Sequence, residues 1–131
     1  MKKDIIFPQV RGVYLAVVNE LNRIYKTYDW NAYIINDKDN ELELVLVVIS
    51  GYLADKMTTT FRKKIDILPA KSYAKIELIP EELFALNNQF NVTFFENNKI
   101  FDKTYLFKAN TINQDCFVEI PLMDVSGILV K

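Results

Sequence analysis

The chain reads as an all-β protein, an antiparallel β-sandwich of about seven to nine strands with one short helical turn after Pro80. Three observations predict it. Ser72, Ala74, Ile76 and Leu78 alternate with Tyr73, Lys75 and Glu77, the period of two expected of a strand with one buried face. Phe90, Val92 and Phe94 resume that period after the break at Pro80. The pair Asn97-Asn98 then supplies two residues that tolerate positive φ, as a two-residue hairpin turn requires, and Thr104 to Ala109 carries the chain back.

From the start of the chain, the first stretch supports two readings. Val10, Val13, Tyr14, Val17, Val18, Leu21, Ile24 and Tyr25 fit a helical period. The competing reading is a hairpin, with Val13 to Asn19 as one strand, a turn near Asn22-Arg23, and Tyr28 to Ile35 as its partner. The β-branched and aromatic content favours the hairpin, and Gly12 early in the run weakens the helix.

Asn36-Asp37-Lys38-Asp39-Asn40 is a polar turn cluster. Leu42 to Ser50 is apolar on both faces after Glu43, so it belongs at the centre of a sheet or under a loop. It is also the segment most prone to aggregate if exposed during folding. Met57, Thr59, Phe61, Ile65 and Ile67 fall on one face of the next strand, with Thr58, Thr60, Arg62, Lys64 and Asp66 on the other. Lys63 breaks that alternation, which marks an edge or an end. Leu68-Pro69-Ala70-Lys71 makes the next connection, Pro80 opens the helical turn Glu81 to Leu86, and Asn87-Asn88 closes it. Phe117 to Leu122 and Ser126 to Val130 are the last strands, around a turn at Met123-Asp124. The expected core is Val13, Leu15, Val17, Ala32, Ile34, Leu46, Val48, Phe61, Ile76, Leu78, Val92, Phe94 and Phe107.

At 131 residues the chain fits one domain with a real core, residues 1–131. Its 16 basic and 17 acidic side chains leave a net charge of −1, no global field to draw in DNA, RNA or anionic lipid. Cys116 is the one cysteine, so no internal disulfide forms, and the usage points to a reducing cytoplasm. Residues 1–8 carry two lysines without a sustained apolar run or a small-residue cleavage site. Leu44 to Ile49, the longest apolar run, is far short of the roughly 20 residues of a membrane helix. The expectation is a soluble, cytoplasmic protein that does not engage a membrane.

The chain has no histidine, which removes Ser-His-Asp and Cys-His nucleophile systems and the commonest ligands of catalytic zinc. Cys116, between Asp115 and Phe117, is expected to pack as a small apolar residue. No Gly-rich phosphate loop is present. Asp37, Asp39, Glu41 and Glu43 alternate as calcium ligands do, yet Leu42 stands where an EF-hand loop needs glycine, so a solvated turn is the better reading. Glu81 and Glu82 follow Pro80 where carboxylates favour a helix dipole. The expectation is a non-enzyme without cofactor or metal.

Aromatic and basic residues remain. Tyr25, Tyr28 and Trp30 cluster before and into a strand, where packing is their default role and partner binding the alternative, with Tyr52 as a further candidate. Arg62, Lys63 and Lys64 form a short basic run suited to phosphate contacts.

The order Phe7-Pro8, Gly12-Val13-Tyr14, Trp30-Asn31, Tyr33, Asn36, Gly51-Tyr52, Leu68-Pro69-Ala70, Lys75-Ile76-Glu77, Phe84, Leu86-Asn87-Asn88 and Asp102-Lys103 with Phe107 resembles a family of short, uncharacterised bacterial proteins. The resemblance spans nearly the whole chain and implies an immunoglobulin-like fold. Some members carry the label phenylalanyl-tRNA synthetase subunit; the ATP-binding core of such an enzyme is much larger than this chain, so the label implies no synthetase chemistry here. Leu53 and Lys63 stand where members tend to have glycine and histidine, so no site that needs those residues carries over.

The function expected from all of this is a binding or assembly module that engages a protein partner, or a second copy of itself, through a sheet edge or an end loop. The alternative is an accessory domain that binds RNA or a small ligand through the aromatic and basic surface, although the charge balance disfavours nucleic acid.

Overall fold

Val13–Asn22 (β1) and Thr27–Asn36 (β2) pair rung by rung from Val13↔Asn36 to Asn22↔Thr27, so the hairpin forms and the helix does not. β-branched side chains on alternating faces decide this, because they pack on a pleated surface and crowd a helical turn. The structure is a computed structural model describing residues 8–58 and 60–131. Thr59, residues 1–7 and the readings made on them lie outside the described residues.

Eight further strands follow: Leu42–Leu53 (β3), Lys56–Met57 (β4), Phe61–Leu68 (β5), Ser72–Leu78 (β6), Asn87–Glu96 (β7), Lys99–Phe107 (β8), Val118–Ile120 (β9) and Val125–Val130 (β10). Sheet I has the order β6-β2-β1-β10-β9. In sheet II, β3 lies between β7 and the β4 and β5 strands, and β8 pairs the far side of β7. All pairings are antiparallel, and the two sheets face each other across the main core, with a second, smaller buried cluster of Ala16, Val18, Ile35 and Ile120 on sheet I, so the chain is a β-sandwich. β4 and β9, two and three residues long, are too short to show a period in the sequence.

The expected turns form. Glu81–Leu83 is a 3-10 turn directly after Pro80, and Asn88 ties it down, its Nδ2 donating to Leu83 O at 2.9 Å and Leu86 O at 3.2 Å. Asn97 and Asn98 take φ values of 51° and 63° between Glu96 and Lys99, as a two-residue hairpin demands. β3 is central in its sheet, as its double apolar face predicts.

Four of the expected core residues are not in the core. On β3 the inner face is Val45, Val47 and Ile49, whereas Leu46 is exposed and Val48 half-buried. The cause is a bulge between Glu43 and Leu46, where Leu44 takes φ 50° and the extra residue reverses which parity points inward. Leu78 is turned out by a similar slip: the β2–β6 register shifts between Ala32 and Tyr33, leaving Leu78 opposite Asn31 on the outer face. Phe61 faces inward opposite Ile49, but at the end of an edge strand it stays partly exposed. The remaining nine, from Val13 to Phe107, are buried. Cys116 is a further correction. It lies exposed in the 3-10 turn Gln114–Cys116, and Phe117 takes the inward position beside it.

The sandwich has two unlike ends. At one, the turns of residues 37–41, 69–71 and 97–98 carry no large apolar side chain. At the other lie the β1–β2, β3–β4 and β9–β10 turns, which present Ile24 and Tyr25, Leu53, and Leu122 to solvent.

Candidate interaction site at the β1–β2 hairpin

β6 reaches β2 only over Asn31 to Asn36, and β10 reaches β1 only over Leu15 to Val17. The three rungs Glu20↔Asp29, Leu21↔Tyr28 and Asn22↔Thr27 therefore have no further strand beside them among the described residues and form an arm whose base is the Asn19↔Trp30 rung. An isolated two-stranded ribbon is marginal in water, so the arm needs bracing.

The turn supplies one brace. Asn22 Oδ1 accepts from the backbone of Ile24 at 3.0 Å and of Tyr25 at 3.2 Å, closing residues 23–26, with Lys26 at φ 56°. Asp29 holds both sides of the arm, accepting from Asn22 Nδ2 and from Thr27 Oγ1, each at 3.0 Å.

The base supplies two more. On the inner face Trp30 stands edge-on to Phe84 and to Phe117, ring centroids 5.3 and 5.9 Å away, and its carbonyl accepts from Ile79 N at 2.8 Å. On the outer face Glu20 accepts from Asn31 Nδ2 at 2.9 Å and from the Tyr33 hydroxyl. Burial, then the hydrogen bond and charge of Glu20, hold the Tyr33 phenol above its ordinary range.

With the backbone fixed in this way, the tip holds large side chains in water. Ile24 is 85% exposed, Tyr25 75% and Tyr28 72%, and Leu21 stands opposite Tyr28 on the same face. Arg23 and Lys26 flank them, and the arm's carboxylates are engaged in hydrogen bonds, Glu20 at the base with Asn31 and Tyr33 and Asp29 nearer the tip with Asn22 and Thr27.

The structure thus splits the aromatic group read from the sequence. Tyr25 and Tyr28 are on the tip, Trp30 is packed beneath it, and Tyr52 is half-buried on β3 in the other sheet, between Asn87 and Met57. It also splits the basic run. Arg62 and Lys64 sit opposite Val48 and Leu46 on the outer face of sheet II, and Lys63 sits opposite the buried Val47 on the inner face. These three cations make no continuous patch. Ile24 and Leu21 are what a search for aromatics misses; the signal was an isoleucine inside a turn, where polar residues are the norm.

Besides a concavity of about 440 Å³ at the β9–β10 turn, lined by Glu119, Ile120, Pro121, Leu122 and Asp124, two others lie elsewhere. One of about 380 Å³ opens between the sheets on the β5–β6 side, lined by Ile49, Phe61, Ile79 and Leu83. The other, about 520 Å³, is polar and lies at the far end among Asp39, Glu41, Glu43, Asn97 and Asn98. Asp37 is held by Lys71 at 3.1 Å, and among the described residues no three acidic or cysteine side chains converge to hold a metal. Among the described residues no helix is long and apolar enough to cross a membrane. Comparison of the chain with family models, with curated proteins and with solved structures found no match in any of the three.

Proposed function

We propose that this protein is a non-enzymatic protein-binding module that engages its partner with the β1–β2 arm. One observation carries the reading: Ile24, Tyr25 and Tyr28 are held in water at the tip of a hairpin whose turn is tied down by the hydrogen bonds of Asn22 and Asp29. Exposed aromatics cost solubility unless a partner covers them, and binding to a pre-ordered loop forfeits little conformational entropy. Tyrosine is also among the residues that dominate binding energy at interfaces. The strand order β1-β2-β6 against β5-β3-β7-β8 supports an immunoglobulin-like reading of the scaffold, a type that commonly binds through its end loops. An exposed, unpaired Cys116 is in keeping with a reducing cytoplasm.

The second reading, an accessory domain for RNA or a small ligand, draws its support from Arg23 and Lys26 beside Tyr25, and from the apolar cleft lined by Phe61. It is weaker because Arg62 and Lys64 project from the opposite sheet.

The test is a crosslinked pull-down of the tagged protein from its native cells, eluted at low and then high salt, alongside Tyr25→Ser/Tyr28→Ser. A stoichiometric protein that survives high salt and is lost in the double variant supports the arm. Nucleic acid released at high salt would move the assignment to the second reading, since phosphate contacts are the salt-sensitive ones. A partner retained equally by the variant would overturn the arm as the contact.

A further inference from the structure

β3 is apolar on both faces, yet the core covers only one of them. On the outer face of sheet II, Leu44 and Leu46 are exposed beside the half-buried Val48. Ile67 on β5 and Ile100 on β8 are exposed on the same face. Three rungs cross it from β5 through β3 and β7 to β8. They are Arg62–Val48–Asn91–Thr104, Lys64–Leu46–Thr93–Asp102 and Ile67–Glu43–Phe95–Ile100. Residues directly opposite in a ladder share a face, and Phe95, next to the buried Phe94, fixes that face as the outer one.

Each rung has ends that suit one another. The first runs from a guanidinium to a hydroxyl, the second from an ammonium to a carboxylate, and the third from isoleucine to isoleucine. Between the ends, Asp102 Oδ1 accepts from Asn91 Nδ2 at 3.0 Å and from Thr93 Oγ1 at 3.1 Å, so the polar side chains of β7 can be covered without losing their partner. Asp102 takes part in no ion pair among the described residues. Lys64 meets Asp66 at 3.9 Å with both groups in water, a weak contact. The face's other carboxylates lie at its margins, Glu43 beside the first residue of β3 and Asp66 on the outer strand β5.

We propose that the outer face of sheet II docks a second copy of this chain, the two sheets stacked about a two-fold axis that runs parallel to the strands between β3 and β7. Such an axis lays β5 over β8 of the second copy and β3 over its β7, and keeps every rung at its own height. Lys64 then meets Asp102, Arg62 meets Thr104 and Ile67 meets Ile100, each twice, with Leu46 and Val48 covered between them. The occupant is a second copy because only self-pairing about this axis gives a reason for the two ends of each rung to match. Strands about 4.8 Å apart, and about 3.3 Å per residue from Arg62 to Ile67, make a face of roughly 20 by 20 Å, well below the usual contact of about 800 Å² per partner. The dimer is therefore weak and depends on concentration. No arm residue takes part in it, so it stands apart from the partner proposed at the arm.

The experiment measures mass by light scattering over about a hundredfold range of concentration, up to about 1 mM. The wild type is expected to pass from monomer to dimer mass. Lys64→Glu alone and Asp102→Lys alone each set like charges against each other at both contacts, and should raise the dissociation constant at least about tenfold. Mixing those two variants puts opposite charges at both contacts of the mixed pair and should restore the dimer. Where Asp102→Lys does not fold, Asp102→Asn keeps an acceptor for Asn91 and Thr93, removes the charge and should weaken the dimer. Leu46→Asp, at the centre of the face, should leave a monomer, whereas Tyr25→Ser/Tyr28→Ser should behave as wild type. A wild-type mass that stays monomeric over the whole range overturns the proposal, as does a dimer that survives Lys64→Glu and Leu46→Asp. Folded charge variants that fail to associate when mixed overturn the two-fold arrangement.

Discussion

Trp30 meets Phe84 edge to face, ring centroids 5.3 Å apart and planes at 88°. This contact joins the base of the arm to the 3-10 turn that follows Pro80, and so couples a local sequence signal to the placement of the tip. Two rungs further out, Tyr28 touches water rather than core. The two aromatics therefore separate stability from binding. Trp30→Ala should cost about 3 kcal/mol, the low end for loss of a large aromatic, because the indole is only partly buried. Tyr28→Ser should stay within about 0.5 kcal/mol of wild type, as surface changes do. Urea denaturation checks both, and a Tyr28→Ser loss comparable to that of Trp30→Ala would mean that the tip is packed.

Leu44 carries a strain that its exposure makes easy to relieve. Its φ of 50° lies in the left-handed region, unfavourable for leucine, and its side chain is 52% exposed at the bulge. Asparagine tolerates that conformation, so Leu44→Asn should raise stability by about 0.5 kcal/mol. Leu46→Asn removes an equally apolar surface from the same strand but has no such backbone to relieve, and should not gain. Equal gains from the two variants would show that lost apolar surface, rather than backbone strain, is responsible.

The bulge at Leu44 also marks where the sequence stops being legible. Strict alternation along Leu42 to Ser50 selects Leu46 and Val48 for the core, and one added residue hands those places to Val45, Val47 and Ile49. A segment apolar on both faces gives no warning of this, because either parity buries hydrophobic side chains. Where the faces differ the reading holds, for Phe90, Val92 and Phe94 are buried; on β1, apolar on both faces, Ala16 and Val18 are buried along with the expected Val13, Leu15 and Val17. Turn chemistry was equally legible at Asn97-Asn98 and at Pro80. The arm was half legible. Tyr25 and Tyr28 stood out as aromatics, but their separation from Trp30 depends on where β6 and β10 stop pairing, which only the folded chain reveals. Lys63 was readable as an edge marker from its break in alternation, and it lies on β5, an outer strand of sheet II.

Glu96 is nearly enclosed, accepting from Lys38 Nζ at 2.5 Å and from Asn40 Nδ2 at 3.0 Å, and Lys38 also lies 5.3 Å from the Phe101 ring centroid. The pair fastens the turn after β2 to the end of β7. Glu96→Ala should cost about 3 kcal/mol, because it leaves Lys38 and Asn40 without their acceptor. Lys38→Met should cost a similar amount by stranding the carboxylate. Replacing both, as Lys38→Met/Glu96→Leu, should be milder than either single change, since no unpaired charge remains. A double variant whose loss equals the sum of the two would show that the residues act independently.

Tyr105 makes alkaline pH the condition to test. Its hydroxyl donates to Val13 O at 2.6 Å across the core, and burial, with a smaller contribution from Tyr14, holds its pKa above the ordinary 10.0. Above pH 10 the unfolded chain gives up this proton while the folded chain retains it, so the unfolded state is increasingly favoured. The stabilisation is complete below pH 10 and is lost as pH rises toward the folded value. Tyr33, raised chiefly by burial and then by Glu20, acts in the same direction. Tyr105→Phe should cost about 1 kcal/mol at neutral pH through the lost hydrogen bond. It should also make the alkaline decline shallower without abolishing it, because Tyr33 still titrates. Stability measured by denaturation from pH 8 upward decides the matter: an unchanged slope in Tyr105→Phe would assign the alkaline loss to Tyr33 or to other groups.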